Sequence, residues 1–121
     1  MKVLIVDDEM LVRRSLHRVC ASRGHEVKEA SDGEAGLEVW TQWQPDLVFL
    51  DVLMPKLSGF EVLKKLGGAR SARVVLMSAY TGTTNDEQAK EAGADLFLSK
   101  PFENIFLVVQ KAEELCDATR S

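Results

Sequence analysis

Two short, uninterrupted apolar runs constrain the fold of this chain more than any other feature. Val3–Val6 reads Val-Leu-Ile-Val and Leu47–Leu50 reads Leu-Val-Phe-Leu, and an Asp follows each run directly. A strand with one wet face alternates apolar and polar residues, whereas a strand covered on both faces is apolar throughout. The two runs therefore predict strands of a parallel sheet with helices on both sides.

The remainder of the chain continues this alternation. Further apolar segments lie around Val27, at Val74–Met77 and at Leu96–Leu98, and a helix-like stretch follows each of the five segments. Strands that alternate with helices through short loops are typical of a doubly wound α/β domain. We expect one such domain over residues 1–121, with five parallel strands. These elements use the whole chain, so we expect no output domain and an output by contact.

Several helix ends carry recognisable signals. A hydroxyl residue followed three positions later by Glu forms a capping box, in which both side chains satisfy free backbone N–H groups. Gly24 and Gly93 stand where a left-handed residue would end a helix. The three candidate capping pairs are Ser31 with Glu34, Ser58 with Glu61, and Thr84 with Glu87.

Composition excludes several classes of protein. The 15 Lys and Arg against 19 Asp and Glu give a net charge of −4, which argues against a nucleic-acid backbone binder. No apolar run is long enough to span a membrane or to serve as a secretory signal. Cys20 and Cys116 lie far apart without a CxxC pattern, so we expect reduced thiols and a cytoplasmic protein.

Polar side chains follow four of the five expected strands. In doubly wound sheets, ligands bind beyond the carboxyl ends of the strands. Each of these residues alone could be a helix cap or a solvated charge. Their positions at matching strand ends predict a common site instead. They are Asp7, Asp8 and Glu9 after the first strand, Asp51 after the third, Ser78 after the fourth and Lys100 after the fifth.

The three aspartates favour a bound cation. Carboxylates in close proximity repel each other unless one takes up a proton or a cation neutralises them. Hard oxygen ligands without clustered Cys or His indicate Mg²⁺ rather than zinc. With the metal and Lys100 present the site would be neutral, and a carboxylate would be placed to attack an incoming phosphoryl group.

Four segments of the chain resemble the signature of response regulator receiver domains. The resemblance covers essentially the whole chain, and it implies a flavodoxin-like sheet with the strand order 2-1-3-4-5. The segments are Val6-Asp7-Asp8-Glu9, Leu50-Asp51-Val52-Leu53-Met54-Pro55 with Gly59, Met77-Ser78-Ala79, and Ser99-Lys100-Pro101-Phe102.

The resemblance implies a role for each residue of the acidic site. Asp51 would be the phosphoacceptor, and it would ligate Mg²⁺ directly together with Asp8. Asp7 would act largely through a water molecule, and Leu53 would supply its backbone carbonyl. The phosphoryl group would come from a histidine kinase or a phosphotransfer protein, and the chain would be a signalling switch, not a metabolic enzyme.

The resemblance also implies how the switch would work. Ser78 and Lys100 would bind phosphoryl oxygens, and the Lys100–Pro101 bond would be cis. Ser78 and Phe97 would move on phosphorylation and reshape the face made by the fourth helix, fifth strand and fifth helix. That face would bind a downstream effector or a second copy of the chain. Leu53 and Tyr80, which flank the path of the attacking water in this family, suggest slow hydrolysis.

Three other functions can be compared with the receiver. A haloacid-dehalogenase-type phosphatase needs a second Asp where Leu53 stands, which argues against that class. A nucleotide binder needs a phosphate-cradling loop after the first strand, and the acidic residues there would repel phosphate. A phosphorylation-independent pseudo-receiver, which would serve only as an interaction module, is the remaining alternative.

The last helix departs from the family pattern. The apolar stripe runs through Ile105, Val108 or Val109, Ala112, and Leu115 or Cys116, which leaves Phe106 and Leu107 over. Five consecutive apolar residues at 105–109 extend around more than one helix face. Either Phe106 or Leu107 belongs to an interface with a partner, or the core register is shifted by one residue.

Overall fold

The computed structural model describes residues 1–67, 71–79 and 86–118, and within them five strands alternate with five helices. The strands form one parallel sheet with the order β2-β1-β3-β4-β5, as predicted. The elements are β1 Lys2–Val6, α1 Met10–Ser22, β2 Glu26–Ala30, α2 Gly33–Trp43, β3 Leu47–Asp51, α3 Gly59–Leu66, β4 Arg73–Ser78, α4 Asp86–Glu91, β5 Leu96–Ser99 and α5 Ile105–Ala118.

Both faces of the sheet are covered, which explains the continuous apolar runs. Successive side chains of a strand point to opposite faces. Leu4 and Val6 pack in a cluster with residues of α2, α3 and α4, and Val3 and Ile5 pack in a second cluster with residues of α1 and α5. All four side chains are fully buried, and burial of each stabilises the fold by about 1.5–3 kcal/mol.

The predicted capping box at the start of α3 is confirmed, and the one at the start of α2 is wrong by one residue. Ser58 Oγ accepts from the backbone N–H of Glu61 at 3.2 Å, and the Glu61 carboxylate accepts from the Ser58 N–H at 3.0 Å. In α2 the N-cap is Asp32, which accepts from Ala35 N–H at 2.8 Å. The Asp32 carboxylate is a stronger acceptor than the Ser31 hydroxyl beside it, so it takes the cap.

The expected left-handed glycines lie just after α1 and α4. Gly24 has φ of +88° and Gly93 has φ of +96°, a conformation that residues with a Cβ rarely adopt. Each donates its backbone N–H to a carbonyl of the preceding helix, Gly24 to Ala21 and Gly93 to Lys90. The predicted helix start at Thr84 lies outside the described residues.

Helix α5 has the predicted core stripe and leaves two large apolar side chains in solvent. Val108, Val109, Ala112 and Cys116 are buried, whereas Phe106 is 62% exposed and Leu107 is 51% exposed. Leu107 lines a groove between α5 and β5 together with Leu98 and Lys111. Both side chains are therefore accessible to a partner, as the interface hypothesis requires.

Within the described part of the chain, no helix has both the length and the apolar character that a membrane span needs. Cys20 and Cys116 are not joined in a disulfide, and both are buried in the cluster between the sheet, α1 and α5. Burial raises the pKa of the Cys20 thiol to about 12. The Cys20 side chain therefore stays protonated and behaves as a small apolar residue.

Candidate functional site

The sheet brings the predicted site residues to one edge. Asp51 is the last residue of β3, and Ser78 is the last residue of β4. Asp7 and Asp8 directly follow β1, and Lys100 directly follows β5. Because all five strands are parallel, their carboxyl ends lie at the same edge. β1 and β3 are neighbours in the middle of the sheet, so their aspartates meet at the centre of that edge.

Three aspartates form a compact acidic cluster. Asp7, Asp8 and Asp51 each offer a carboxylate oxygen, and these oxygens lie within 4.8 Å of one another. Asp7 is fully buried and Asp51 is 3% exposed, whereas Asp8 is exposed to solvent. Clustered carboxylate oxygens open to water on one side suit Mg²⁺, which keeps several of its own waters. The Leu53 side chain is 59% exposed, and the role of its carbonyl stays a prediction.

The ammonium group of Lys100 lies inside the cluster. Lys100 Nζ is 2.9 Å from Asp7 Oδ2 and 3.4 Å from Asp51 Oδ2. A third carboxylate, that of Glu9, accepts from the same nitrogen at 2.7 Å. Burial opposes the charge of Lys100, but the hydrogen bonds to Glu9 and Asp7 and the charges of Asp7 and Asp51 raise its pKa above the ordinary lysine value. Lys100 is therefore a permanent positive charge at the strand ends.

Ionisation of the Asp51 carboxyl group is unfavourable when no metal ion is bound beside it. Burial and the neighbouring charge of Asp7 raise the pKa of the Asp51 carboxyl to about 7, although Lys100 partly offsets both effects. A carboxylate with this pKa is held in its charged form at a cost. A divalent cation beside Asp51 would lower that cost, and this agrees with the fit of the donor set to Mg²⁺.

Backbone and side-chain contacts fix the orientation of Asp7. Its Oδ1 accepts from the backbone N–H of Glu9 at 2.8 Å, and its carbonyl accepts from Arg13 Nη1 at 2.9 Å. The Arg13 side chain also pairs with Glu29 at 2.8 Å. Sequence reasoning missed Arg13, because a single arginine on a helix that begins near the site is not distinguished by any motif.

Ser78 and Phe97 lie where the sequence placed them. Ser78 is 1% exposed, and its backbone carbonyl accepts from the Lys100 N–H at 2.9 Å, which ties the ends of β4 and β5 together. Phe97, on β5, is half-buried against the cluster under α2, α3 and α4. The Lys100–Pro101 peptide bond is cis, as expected. Tyr80 lies outside the described residues.

A family model and the sequences of known proteins both relate this chain to response regulators. The sequence model of the response regulator receiver domain matches residues 3–111. The transcriptional regulatory protein KdpE of Mycobacterium tuberculosis is 40% identical over 100 residues, which are 83% of this chain and 44% of that protein. Sporulation initiation phosphotransferase F of Bacillus subtilis is 36% identical over 103 residues, which are 84% of this chain and 83% of that protein.

Solved structures of receiver domains have the same fold as this chain. A CheY-like response regulator receiver domain protein from Methanospirillum hungatei superposes with a TM-score of 0.89 at 27% identity, over 98% of this chain and 95% of that one. A Francisella response regulator receiver domain gives 0.88 at 28% identity, over 98% of both chains. The molecule is thus a doubly wound α/β domain with an acidic site at its strand ends.

The chain belongs to the response regulator receiver domain family of two-component signalling. It spans about half the length, or less, of several curated relatives that it matches, such as 44% of KdpE and 50% of the regulatory protein PdtaR of M. tuberculosis.

Proposed function

We propose that this chain is a phosphorylation-dependent receiver that accepts a phosphoryl group on Asp51. One observation carries the proposal. The buried carboxylate of Asp51 is within 4.8 Å of two further aspartates and 3.4 Å from the Lys100 ammonium. That combination of an acceptor carboxylate, a metal-binding donor set and a fixed cation is suited to phosphoryl transfer.

Different side chains of the protein have different roles in the proposed phosphoryl transfer. An Asp51 carboxylate oxygen forms a bond to phosphorus while the bond from phosphorus to the donor's histidine nitrogen breaks, and that nitrogen keeps the electron pair. Lys100 neutralises one phosphoryl oxygen, and the Ser78 hydroxyl, at the neighbouring strand end, donates to another. Bound Mg²⁺ would supply charge neutralisation for the aspartates and the phosphoryl group. Asp8 and Asp51 would hold the ion directly, Asp7 through water, and Leu53 through its carbonyl.

Membership of the family indicates the classes of protein that act as partners, but it does not identify the individual partners. Response regulators act between histidine kinases and effectors, so we propose a sensor kinase or phosphotransfer protein as donor. Residues 1–121 would form a single receiver domain that works in the cytoplasm. Phosphorylation would shift Ser78 and Phe97 and change the face of α4, β5 and α5, which would then bind an effector or a second copy of the chain.

Intact mass spectrometry after incubation with acetyl phosphate tests the proposal. We expect a mass gain of one phosphoryl group that requires Mg²⁺ and is absent in Asp51→Ala. Asp46→Asn is a matched control, because Asp46 lies directly before β3, at the opposite end of the strand from Asp51. Absence of an adduct in the wild-type chain would instead favour a pseudo-receiver. Persistence of the adduct in Asp51→Ala would place the phosphoacceptor elsewhere.

A further inference from the structure

Glu9 makes a contact that the proposed transfer does not use. Its carboxylate accepts from Lys100 Nζ at 2.7 Å, which is shorter than the distances from Nζ to Asp7 and Asp51. The Glu9 side chain is 56% exposed and that of Lys100 only 5%. Glu9 is outside the aspartate cluster that can hold a metal. The contact therefore reaches from the surface to a buried functional cation.

Three carboxylates compete for the ammonium group of Lys100 in this state. Glu9 and Asp7 accept hydrogen bonds from Nζ, and Asp51 forms a longer ion pair with it. An ammonium group has three N–H donors, and three carboxylates surround it at 2.7, 2.9 and 3.4 Å. A phosphoryl oxygen that arrives at Asp51 needs one of these donors. The phosphoryl oxygen therefore competes with the carboxylates that already contact Lys100.

Burial identifies Glu9 as the carboxylate that gives way. Asp7 has no exposed surface, and a buried carboxylate that loses its cation carries a large desolvation cost. Asp51 carries the phosphoryl group itself, so its phosphorylation brings the new oxygens towards Lys100. The half-exposed Glu9 side chain can rotate into water, where an ion pair contributes little.

The backbone of Glu9 can stay in place while its side chain moves. Glu9 is the N-cap residue of α1, but its side chain makes no capping hydrogen bond. Its N–H donates to Asp7 Oδ1 at 2.8 Å, and its carbonyl accepts from the Arg13 N–H at 3.0 Å. Release of Lys100 by Glu9 therefore requires neither unwinding of α1 nor displacement of Asp7.

We propose that Glu9 is a displaceable counter-ion that occupies Lys100 in the unphosphorylated site and yields it to the phosphoryl group. The Glu9–Lys100 pair then sets how readily Asp51 is phosphorylated, and Glu9 is a positioning residue that acts through Lys100. This inference rests on the proposed phosphorylation of Asp51.

The Glu9→Gln variant tests the inference, because it keeps the side chain's size and removes its charge. Glu103→Gln is the matched control, since it removes the same charge from the loop that follows Lys100. We would measure the rate of acetyl phosphate labelling at saturating Mg²⁺ and the affinity for beryllofluoride with Mg²⁺. A half-exposed ion pair predicts an increase of about two- to fivefold in both for Glu9→Gln.

Measurement of Mg²⁺ affinity distinguishes an effect of Glu9 on Lys100 from an effect of Glu9 on the binding of Mg²⁺. Loss of a nearby negative charge weakens Mg²⁺ binding, so we expect Glu9→Gln to bind Mg²⁺ no more tightly than the wild type while it binds beryllofluoride more tightly. An unchanged or slower labelling rate in Glu9→Gln would overturn the inference. So would an equal increase in Glu103→Gln, because the effect would then belong to net charge.

A double-mutant cycle in unfolding free energy tests the contact without any phosphodonor. We expect Glu9→Gln and Lys100→Met to be coupled, whereas Glu103→Gln and Lys100→Met are not. Absence of coupling refutes the role of Glu9 whatever the chain's function. Coupling in a chain that never acquires a Mg²⁺-dependent adduct refutes the proposed function and, with it, the role of Glu9 in that function.

Discussion

A methyl group on Gly59 would lie 2.5 Å from the carbonyl oxygen of Asp51. The loop that leaves β3 therefore returns directly over the end of its own strand. Gly59 donates its N–H to the Val52 carbonyl at 2.8 Å, and the capping box of Ser58 starts α3 at this point. The backbone of the proposed phosphoacceptor is thus held against the first turn of a helix.

Substitution of Gly59 should loosen this attachment. We expect Gly59→Ala to destabilise the fold by about 1–3 kcal/mol, because the obstructing atoms are backbone and cannot rotate away. Urea unfolding measures the change. Lys64→Ala, on the exposed side of the same helix, should be nearly neutral. Equal stability of Gly59→Ala and the wild type would show that the loop can move aside without cost.

Removal of the Asp51 charge should stabilise the metal-free protein. At a pH above about 7, where the raised pKa of Asp51 leaves it charged, Asp51→Asn relieves repulsion from Asp7 and the cost of burial. We expect a gain of about 1–3 kcal/mol in a chelating buffer. Added Mg²⁺ should stabilise the wild type more than the variant. Loss of stability in Asp51→Asn, measured by urea unfolding, contradicts this account, and Asp46→Asn controls for loss of an exposed aspartate.

Removal of the Lys100 charge should have the opposite effect. Lys100→Met leaves the buried Asp7 without its cation, so we expect a loss of about 3–5 kcal/mol at neutral pH without metal. Mg²⁺ should restore part of this stability, because it replaces the missing positive charge. Thermal unfolding with and without Mg²⁺ measures both effects. Lys111→Met, at an exposed position of α5, should show neither.

A second ionic cluster, away from the carboxyl ends of the strands, predicts a pH dependence of stability. Glu113 of α5 contacts Arg23 at 2.7 Å and His25 at 2.7 Å. The hydrogen bond from Arg23, partly opposed by burial and helped by His25, holds the pKa of Glu113 below its ordinary value of 4.5. Its contribution is therefore fully present above pH 4.5 and is lost as the pH falls through the lowered pKa.

Glu113→Gln isolates that contribution. We expect the variant to be less stable than the wild type by about 1 kcal/mol at neutral pH, because the pair is partly solvated. The difference should shrink as the pH falls below 4.5 and through the lowered pKa of Glu113. Urea unfolding across this range measures it. Glu114→Gln, at the adjacent exposed position, should give a small difference that does not change with pH.

The exposed apolar residues of α5 predict a partner contact. Because Leu107 is half exposed, Leu107→Asp should change stability by about 0.5 kcal/mol or less. We expect it to reduce self-association or effector binding of the chain activated with beryllofluoride and Mg²⁺, measured by analytical ultracentrifugation or titration. Gln110→Asp, on the same helix, is the charge-matched control. An equal effect of both substitutions would exclude Leu107 from the interface.

The capping of the helices shows how local signals compete. The Ser58 box formed as predicted because the hydroxyl and Glu61 have the required spacing and no better acceptor stands beside them. At α2 the same spacing was present from Ser31, but the adjacent carboxylate of Asp32 took the cap. The spacing of residues indicates which side chains could cap a helix, and the strength of the neighbouring hydrogen-bond acceptors decides which of them is the N-cap.

The sequence by itself determined the class of fold and which polar side chains lie together at one edge of the sheet. Continuous apolar runs require helices on both faces, and parallel strands bring Asp7, Asp51 and Lys100 to one edge whatever the details of packing. Only the tertiary structure decided which carboxylates share the Lys100 ammonium. Glu9 reaches it from the surface and Arg13 supports Asp7 from α1, and neither contact is visible in a motif. Both depend on the angle and distance at which α1 packs against the sheet, which are set by the whole core.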